Sequence, residues 1–333
     1  METEVLKVNP VTPDTDSIAQ AARLIRDGEL VAFPTETVYG LGADATNPTA
    51  VRKIFVAKGR PSDNPLIVHI AKPADIYKLA ATVPPVAQTL IEHFWPGPLS
   101  LVLSKSEAIP DITTAGLTTV VVRCPAHPVA RALIAAAGVP IAAPSANRSG
   151  YVSPTTAAHV MADLGGRIPL VLDGGRATEG LESTVVDCTT TSPTILRPGS
   201  ITAEQLTAVI GDVQSAGVHA TERSPGMKYR HYATTAPLRL FTSERELIAT
   251  LAAPERPQPL GVISHTSLSL PDNVHLIALG SDPVIAAPRL YDALRTLDTH
   301  APAAIWIVGY PETGIGAALM NRIKKAALGA KTK

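Results

Sequence analysis

The stretch from Gly28 to Gly42, G-E-L-V-A-F-P-T-E-T-V-Y-G-L-G, constrains this chain more than any other. Leu30 to Phe33 has the length and residue types of a buried strand, and it must stop at Pro34, which cannot donate a ladder hydrogen bond. A polar elbow follows, in which Thr35, Glu36 and Thr37 place two hydroxyls and a carboxylate just past a strand end. Gly40 and Gly42 then let backbone or ligand approach closely. In open α/β sheets ligands sit beyond strand ends, so the elbow is a candidate ligand loop; the alternative is a tight strand-to-strand connection with exposed polar residues.

A chain of 333 residues exceeds one typical domain, and 45% hydrophobic against 17% charged residues is enough to fill two cores. Lys+Arg 29 balances Asp+Glu 29, and without a long basic run a strong sequence-independent grip on nucleic acid lacks its electrostatic source. Cys124 and Cys188 show no C-x-x-C spacing, which predicts reduced, buried thiols in a cytoplasmic protein. The first residues carry acids where a signal peptide carries bases. The longest apolar stretch, Ala132 to Ala143, is broken by Gly138 and Pro140 and falls short of the roughly 20 residues that span a bilayer, so no membrane segment is expected.

Along the chain, an amphipathic helix over Thr15 to Asp27 stops at Gly28, and Asn47-Pro48 opens a second helix that ends near Lys58. The turn Gly59 to Pro65 precedes a strand over Leu66 to Ile70. Helical patterns follow at Pro73 to Ala81, Pro85 to His93, Pro128 to Ala137, Thr155 to Leu164 and Ala203 to Ile210. Strands are expected at Leu99 to Leu103, Thr119 to Arg123, Pro140 to Ala143, Leu170 to Asp173, Ser183 to Cys188 and Thr194 to Leu196. Helices and strands alternate irregularly, which predicts an α/β fold with one twisted mixed sheet, parallel and antiparallel, and helices against it. Residues 1–210 form this first domain. Residues 211–236 lose apolar periodicity but hold S-P-G-M-K-Y-R-H-Y, a linker whose clustered charges and aromatics suggest a function. Residues 237–333 resume strand–helix alternation as a smaller α/β domain, including a helix over Val284 to Leu297.

Lys58, Arg60, Arg123 and Arg197 all stand at element ends, where cations can clamp phosphate or carboxylate oxygens; taken singly, each is more often a surface ion pair. Hydroxyl-rich loops recur at Thr35-Glu36-Thr37, Ser145-Ala146-Asn147, Ser153-Pro154-Thr155 and Ser183-Thr184, and they suit an anionic, polyhydroxylated ligand such as a nucleotide. No Walker loop, H-E-x-x-H, paired C-x-x-C or G-x-S-x-G occurs. Gly40-Leu41-Gly42-Ala43-Asp44-Ala45 matches G-x-G-x-x-A, but the helix restarts only at Asn47-Pro48, so the glycines do not aim a helix N-terminus at a pyrophosphate.

Taken together, V-A-F-P-T-E-T-V-Y-G-L-G, K-G-R-P-S-D-N-P-L-I-V-H-I, W-P-G-P-L, T-V-V-V-R, P-I-A-A-P-S-A-N-R-S-G, L-D-G-G-R, E-S-T-V-V-D and L-R-P-G resemble, in order, the threonylcarbamoyl-AMP synthase family. The linker motif S-P-G-M-K-Y-R-H-Y and the looser match G-Y-P-E-T-G-I-G-A-A-L-M-N-R point to its long form, a YrdC-like catalytic domain with an appended Rossmann-like α/β domain. The resemblance implies a reaction of L-threonine, bicarbonate or CO2 and MgATP to threonylcarbamoyl-adenylate and pyrophosphate, with a separate enzyme system passing the group to tRNAs that read ANN codons. A YrdC-like RNA-binding module without turnover is the alternative, which zero net charge disfavours, and a nicotinamide oxidoreductase rests only on the Gly40 turn.

By the same resemblance, Lys58 and Arg60 of K-x-R and Ser145 and Asn147 of S-x-N carry catalytic and phosphate contacts. Thr35, His69, Arg123, Ala143 and Ser183 would surround threonine. Ser62, Thr119, Ser153 and Arg197 would complete the ATP site, with Tyr229 reaching it from the linker as part of a lid. Magnesium would ride on the phosphates, since these loops offer no carboxylate cage.

Overall fold

Each of the first elements has a local cause. Helix Thr15–Arg26 begins where the Asp14 carboxylate accepts from the Ser17 N–H, and it buries Ile18, Ala21, Ala22 and Ile25 on one stripe. Helix Pro48–Lys58 is capped by Asn47 and closed by Gly59 in the left-handed conformation. The computed structural model describes residues 1–215, 231–270 and 273–329. These fall into two units: Met1–Ser149 with the described residues from Ser153 to 215, and Gly150–Val152 with the described residues from 231 onward.

The larger unit holds strands β1 (Glu4–Lys7), β2 (Val31–Phe33), β3 (Gly40–Asp44), β4 (Ile67–His69), β5 (Leu99–Ser104) and β6 (Thr119–Arg123). It continues through β7 (Ile141–Ala142), β8 (Leu170–Asp173), β9 (Thr184–Asp187), β10 (Thr194–Arg197) and β11 (Gln214–Ser215). Among the described residues they form one sheet in the order β1-β8-β2-β3-β7-β4-β6-β5-β9-β10-β11. Parallel pairs such as β4·β6 and β5·β9 alternate with antiparallel pairs such as β2·β3 and β5·β6, so the mixed sheet expected from the sequence is present.

Alternation divides the sheet's residues between two faces. Val68, Val120, Val122, Leu101, Leu103 and Val186 join the main core with helix residues such as Val51, Ile54 and Leu90. Ile67, Val102, Val121, Val185 and Leu196 form a separate small apolar cluster, the opposite face of the same strands.

The smaller unit has a four-stranded, all-parallel sheet, β12 (Leu238–Phe241), β13 (Leu260–Ser264), β14 (Val274–Ala278) and β15 (Ala304–Val308), in the order β12-β15-β13-β14. Phe241, Leu247, Leu260, Val262 and Trp306 lie at its core. This is the Rossmann-like α/β domain expected from the sequence.

Some local expectations differ from the structure. Glu4–Lys7 is a strand, missed because an edge strand of E-V-L-K with mostly exposed side chains shows no buried alternation. Pro73–Lys78 is a short 3₁₀ helix rather than a helix to Ala81. Pro288 removes a donor in mid-helix, so the single helix expected over Val284 to Leu297 becomes Pro283–Ala286, a 3₁₀ turn Ala287–Arg289 and Leu290–Thr299. Gly40 and Gly42 lie in β3, antiparallel to β2, which agrees with setting the G-x-G-x-x-A match aside. At Gly42 a Cβ would stand 2.7 Å from the Phe33 ring and 2.8 Å from Ile141, so glycine lets β3 pack there.

Candidate active site

The face carrying the small apolar cluster also carries polar residues. Thr119 and Arg123 flank Val121 at two-residue spacing in β6, His69 lies two beyond Ile67 in β4, Ser100 two before Val102 in β5, and Ser183 two before Val185. The expected residues therefore sit on a sheet face with an apolar floor as well as at strand ends.

The β4·β6 register sets His69 beside Arg123. Arg123 is buried, and its guanidinium is gripped on three sides. Nε donates to the Gly97 carbonyl at 3.2 Å, Nη1 donates to Thr37 Oγ1 at 2.8 Å, and Nη2 lies 2.7 Å from Glu36 Oε1. That last contact is an ion pair without hydrogen-bond alignment. Thr37 Oγ1 is in turn 2.8 Å from Thr35 Oγ1, which donates to the Val38 carbonyl at 2.6 Å, so the elbow is a buried hydroxyl-and-carboxylate turn locked onto Arg123. It is at once the tight β2–β3 connection and part of the candidate site. Burial would raise the Glu36 pKa, but the Arg123 guanidinium more than offsets it and holds the carboxyl below its usual range. Burial, reinforced by the Arg123 charge, pushes His69 down to about 3, so its ring is neutral, and its buried Nδ1 makes no hydrogen bond.

A second cluster adjoins this one in sequence and sheet order. Ser183 Oγ lies 2.8 Å from Ser100 Oγ and accepts from Arg197 Nη2 at 3.0 Å, while Arg197 Nε donates to the Ser183 carbonyl at 3.1 Å. The R-P-G turn after Arg197 needs its glycine, since a Cβ at Gly199 would meet the Thr184 nitrogen at 2.2 Å. Next to Ser183, Glu182 accepts from Ser153 Oγ at 2.6 Å.

A third cluster joins K-x-R to S-x-N. Lys58, buried at the C-terminus of its helix, donates from Nζ to the backbone carbonyls of Ser145 and Asn147, the latter at 2.5 Å, and its own carbonyl accepts from the Ser149 N–H at 2.9 Å. Arg60 Nη2 donates to the Pro65 carbonyl at 3.2 Å, which ties the basic turn to the start of β4. Ala143 is anchored by its N–H to the Ile67 carbonyl at 2.9 Å.

The structure thus brings together Thr35, His69 and Arg123; Ser183 and Arg197; and Lys58, Ser145 and Asn147. Thr119 and Arg123 stand at opposite ends of β6, about 13 Å apart along the strand. Ser62 lies exposed in its turn, apart from these bonds, and Tyr229 falls outside the described residues. Glu36, Thr37, Ser100 and Glu182 went unassigned from the sequence. Ser100 carried a signal, a lone polar residue in L-S-L-V-L at the spacing that puts it on the Val102 face. Glu36 and Thr37 were visible in the elbow, but their partner lies 86 or more positions away.

A twisted mixed sheet with cations and hydroxyls on one face, followed by a parallel α/β unit, defines a two-domain YrdC-like protein. A family model described as "Telomere recombination" matches residues 23–199, and one described as "Threonylcarbamoyl-AMP synthase, C-terminal domain" matches residues 201–328. The Threonylcarbamoyl-AMP synthase of Bacillus subtilis is 48% identical over 94% of this chain and 93% of its own length; that of Pyrococcus abyssi is 46% identical over 92% and 93%. The crystal structure of P. abyssi Sua5 complexed with L-threonine is 44% identical, with a TM-score of 0.92 over 98% of both chains. The chain belongs to the threonylcarbamoyl-AMP synthase family, in its two-domain form.

Proposed function

We infer that this chain makes threonylcarbamoyl-AMP and pyrophosphate from L-threonine, bicarbonate or CO2, and ATP, a nucleotidyl transfer that opens the threonylcarbamoyl modification of tRNA. Family membership across both domains carries this reading, and the threonine named in the P. abyssi structure supports threonine as a substrate here.

Threonine's amine, once uncharged, bonds through nitrogen to the carbon of CO2 with loss of a proton, or to that of bicarbonate with release of water, and either route gives a carbamate. A carbamate oxygen then attacks the α-phosphorus while pyrophosphate leaves. In our assignment Thr35, His69, Arg123, Ala143 and Ser183 hold threonine, and Lys58, Arg60, Ser62, Thr119, Ser145, Asn147, Ser153 and Arg197 hold ATP. Two anions must meet, so Lys58, Arg60 and Arg197 offset their repulsion and the charge growing on pyrophosphate, while positioning supplies much of the rest. No protein nucleophile is required. Magnesium would enter with ATP; the Ser153 hydroxyl and the Glu182 carboxylate are oxygen donors that fit a hard cation shared with phosphates. Bound there, it would neutralise phosphate charge and help pyrophosphate leave. No helix among the described residues is long and apolar enough to cross a membrane, and we place the enzyme in the cytoplasm, where ATP and tRNA meet.

The test is pyrophosphate release by the purified chain with L-threonine, bicarbonate and MgATP, omitting each in turn. Release that requires threonine and bicarbonate together supports the reading; release without either, or none at all, overturns it.

A further inference from the structure

Glu36 has no place in the substrate contacts assigned above, yet its carboxylate is shut off from solvent beside a buried guanidinium. With Gly97, Thr37 and Glu36 on its three nitrogens, the planar Arg123 fork has one orientation, and its remaining N–H groups are aimed by that grip. The Arg123 charge is met by that of Glu36, while His69 is neutral and the Cys124 thiol, pushed up to about 11 by burial, is neutral as well.

We propose that Glu36 is the specificity residue of the threonine pocket: it fixes the orientation of Arg123 and cancels its charge, so the pocket takes a net-neutral amino acid and turns away free inorganic anions. This rests on the reading that Arg123 meets threonine. A buried guanidinium without a counter-charge attracts any oxyanion, and the reaction inferred above handles bicarbonate, triphosphate and pyrophosphate. With Glu36 in place, an entering anion meets a carboxylate already paired there. A zwitterion carries its own ammonium, which offsets Glu36 while its carboxylate meets the free N–H groups of Arg123.

The test compares full-length wild type, Glu36→Gln, Glu36→Asp and Arg123→Ala. L-threonine binding is measured by calorimetry with and without inorganic phosphate as competitor, and MgATP binding by the same samples reports an intact fold. We expect Glu36→Gln to bind threonine at least about tenfold more weakly and to let phosphate displace it, which phosphate does not do in wild type. Glu36→Asp, which keeps the charge, should still exclude phosphate and recover part of the affinity. If Glu36→Gln binds threonine as wild type does and ignores phosphate while Arg123→Ala loses threonine, the role of Glu36 is overturned and the pocket stands. If Arg123→Ala also binds threonine normally, both fall. Should Glu36→Gln fail to bind MgATP, the aspartate variant decides, and phosphate entry there overturns the proposal.

Discussion

At the carboxyl ends of the smaller unit's strands, Glu244 Oε1 accepts from the N–H groups of His265 and Thr266 at 3.1 and 2.9 Å and from the Thr266 hydroxyl at 3.0 Å. His265 Nε2 lies 3.0 Å from the Gly309 carbonyl, and the Tyr310 hydroxyl donates to Gly280 at 3.0 Å. After β2 in the larger unit, Glu36, His69 and Arg123 form an equally polar cluster, but buried atoms there, His69 Nδ1 and both Glu36 oxygens, make no hydrogen bond. Both clusters occupy loops that α/β sheets commonly use for ligands. One pairs its side chains with one another and with nearby backbone. The other bears the cost of burying polar atoms with unused capacity, a cost that persists where a ligand completes the set.

The largest break in this contrast should come from Arg123→Ala, which leaves the Glu36 carboxylate buried alone. Removing one partner of a buried pair costs about 3–5 kcal/mol, so thermal unfolding of the larger unit should drop by about 6 °C or more. Glu36→Leu with Arg123→Met should recover most of it, and a single-variant melting temperature equal to wild type would show the pair to be energetically idle. Next, Lys58→Ala should lower pyrophosphate release by about 10²–10³-fold, as loss of a preorganised charge donor does, and cost about 1–3 kcal/mol of stability, because the Ser145 and Asn147 carbonyls lose their buried donor. A rate within threefold of wild type removes Lys58 from the chemistry.

The pH dependence sharpens the contrast further. His69 is neutral in the folded chain down to about 3, whereas the unfolded chain protonates it near 6.5. The unfolded state therefore binds the extra proton between these values, and stability falls as pH drops through that window, by up to about 1.4 kcal/mol per pH unit. His127, lowered by burial, adds in the same direction. His69→Gln should remove about one proton from the uptake on unfolding; an unchanged slope would contradict a neutral His69. The smallest effect belongs to the other cluster: Glu244→Gln keeps an acceptor for the same N–H groups and should cost less than about 1 kcal/mol, with pyrophosphate release unchanged.

Much of the first domain was legible in local signals. Strand Thr119–Arg123, helix Pro128–Ala137 and strand Leu170–Asp173 occupy the very residues that their apolar runs and flanking prolines predicted. Edge strand β1 and the 3₁₀ turn at Pro73 were not legible, because neither carries a periodic apolar stripe. In the site, the residue types and motif order were readable. What they bond to was not.

The sequence alone determined most of the first domain's strands and helices, that two α/β units follow one another, and which loops carry cations and hydroxyls. Those properties act over one turn or one pleat, the range of propensity, capping and alternation. Only the tertiary structure decided that Arg123 closes on Glu36, Lys58 on the Ser145 and Asn147 carbonyls, and Ser100 on Ser183. Those partners lie more than eighty positions apart and meet because the sheet order interleaves strands distant in the chain. Packing of the two faces chooses that order, and no local stretch contains it.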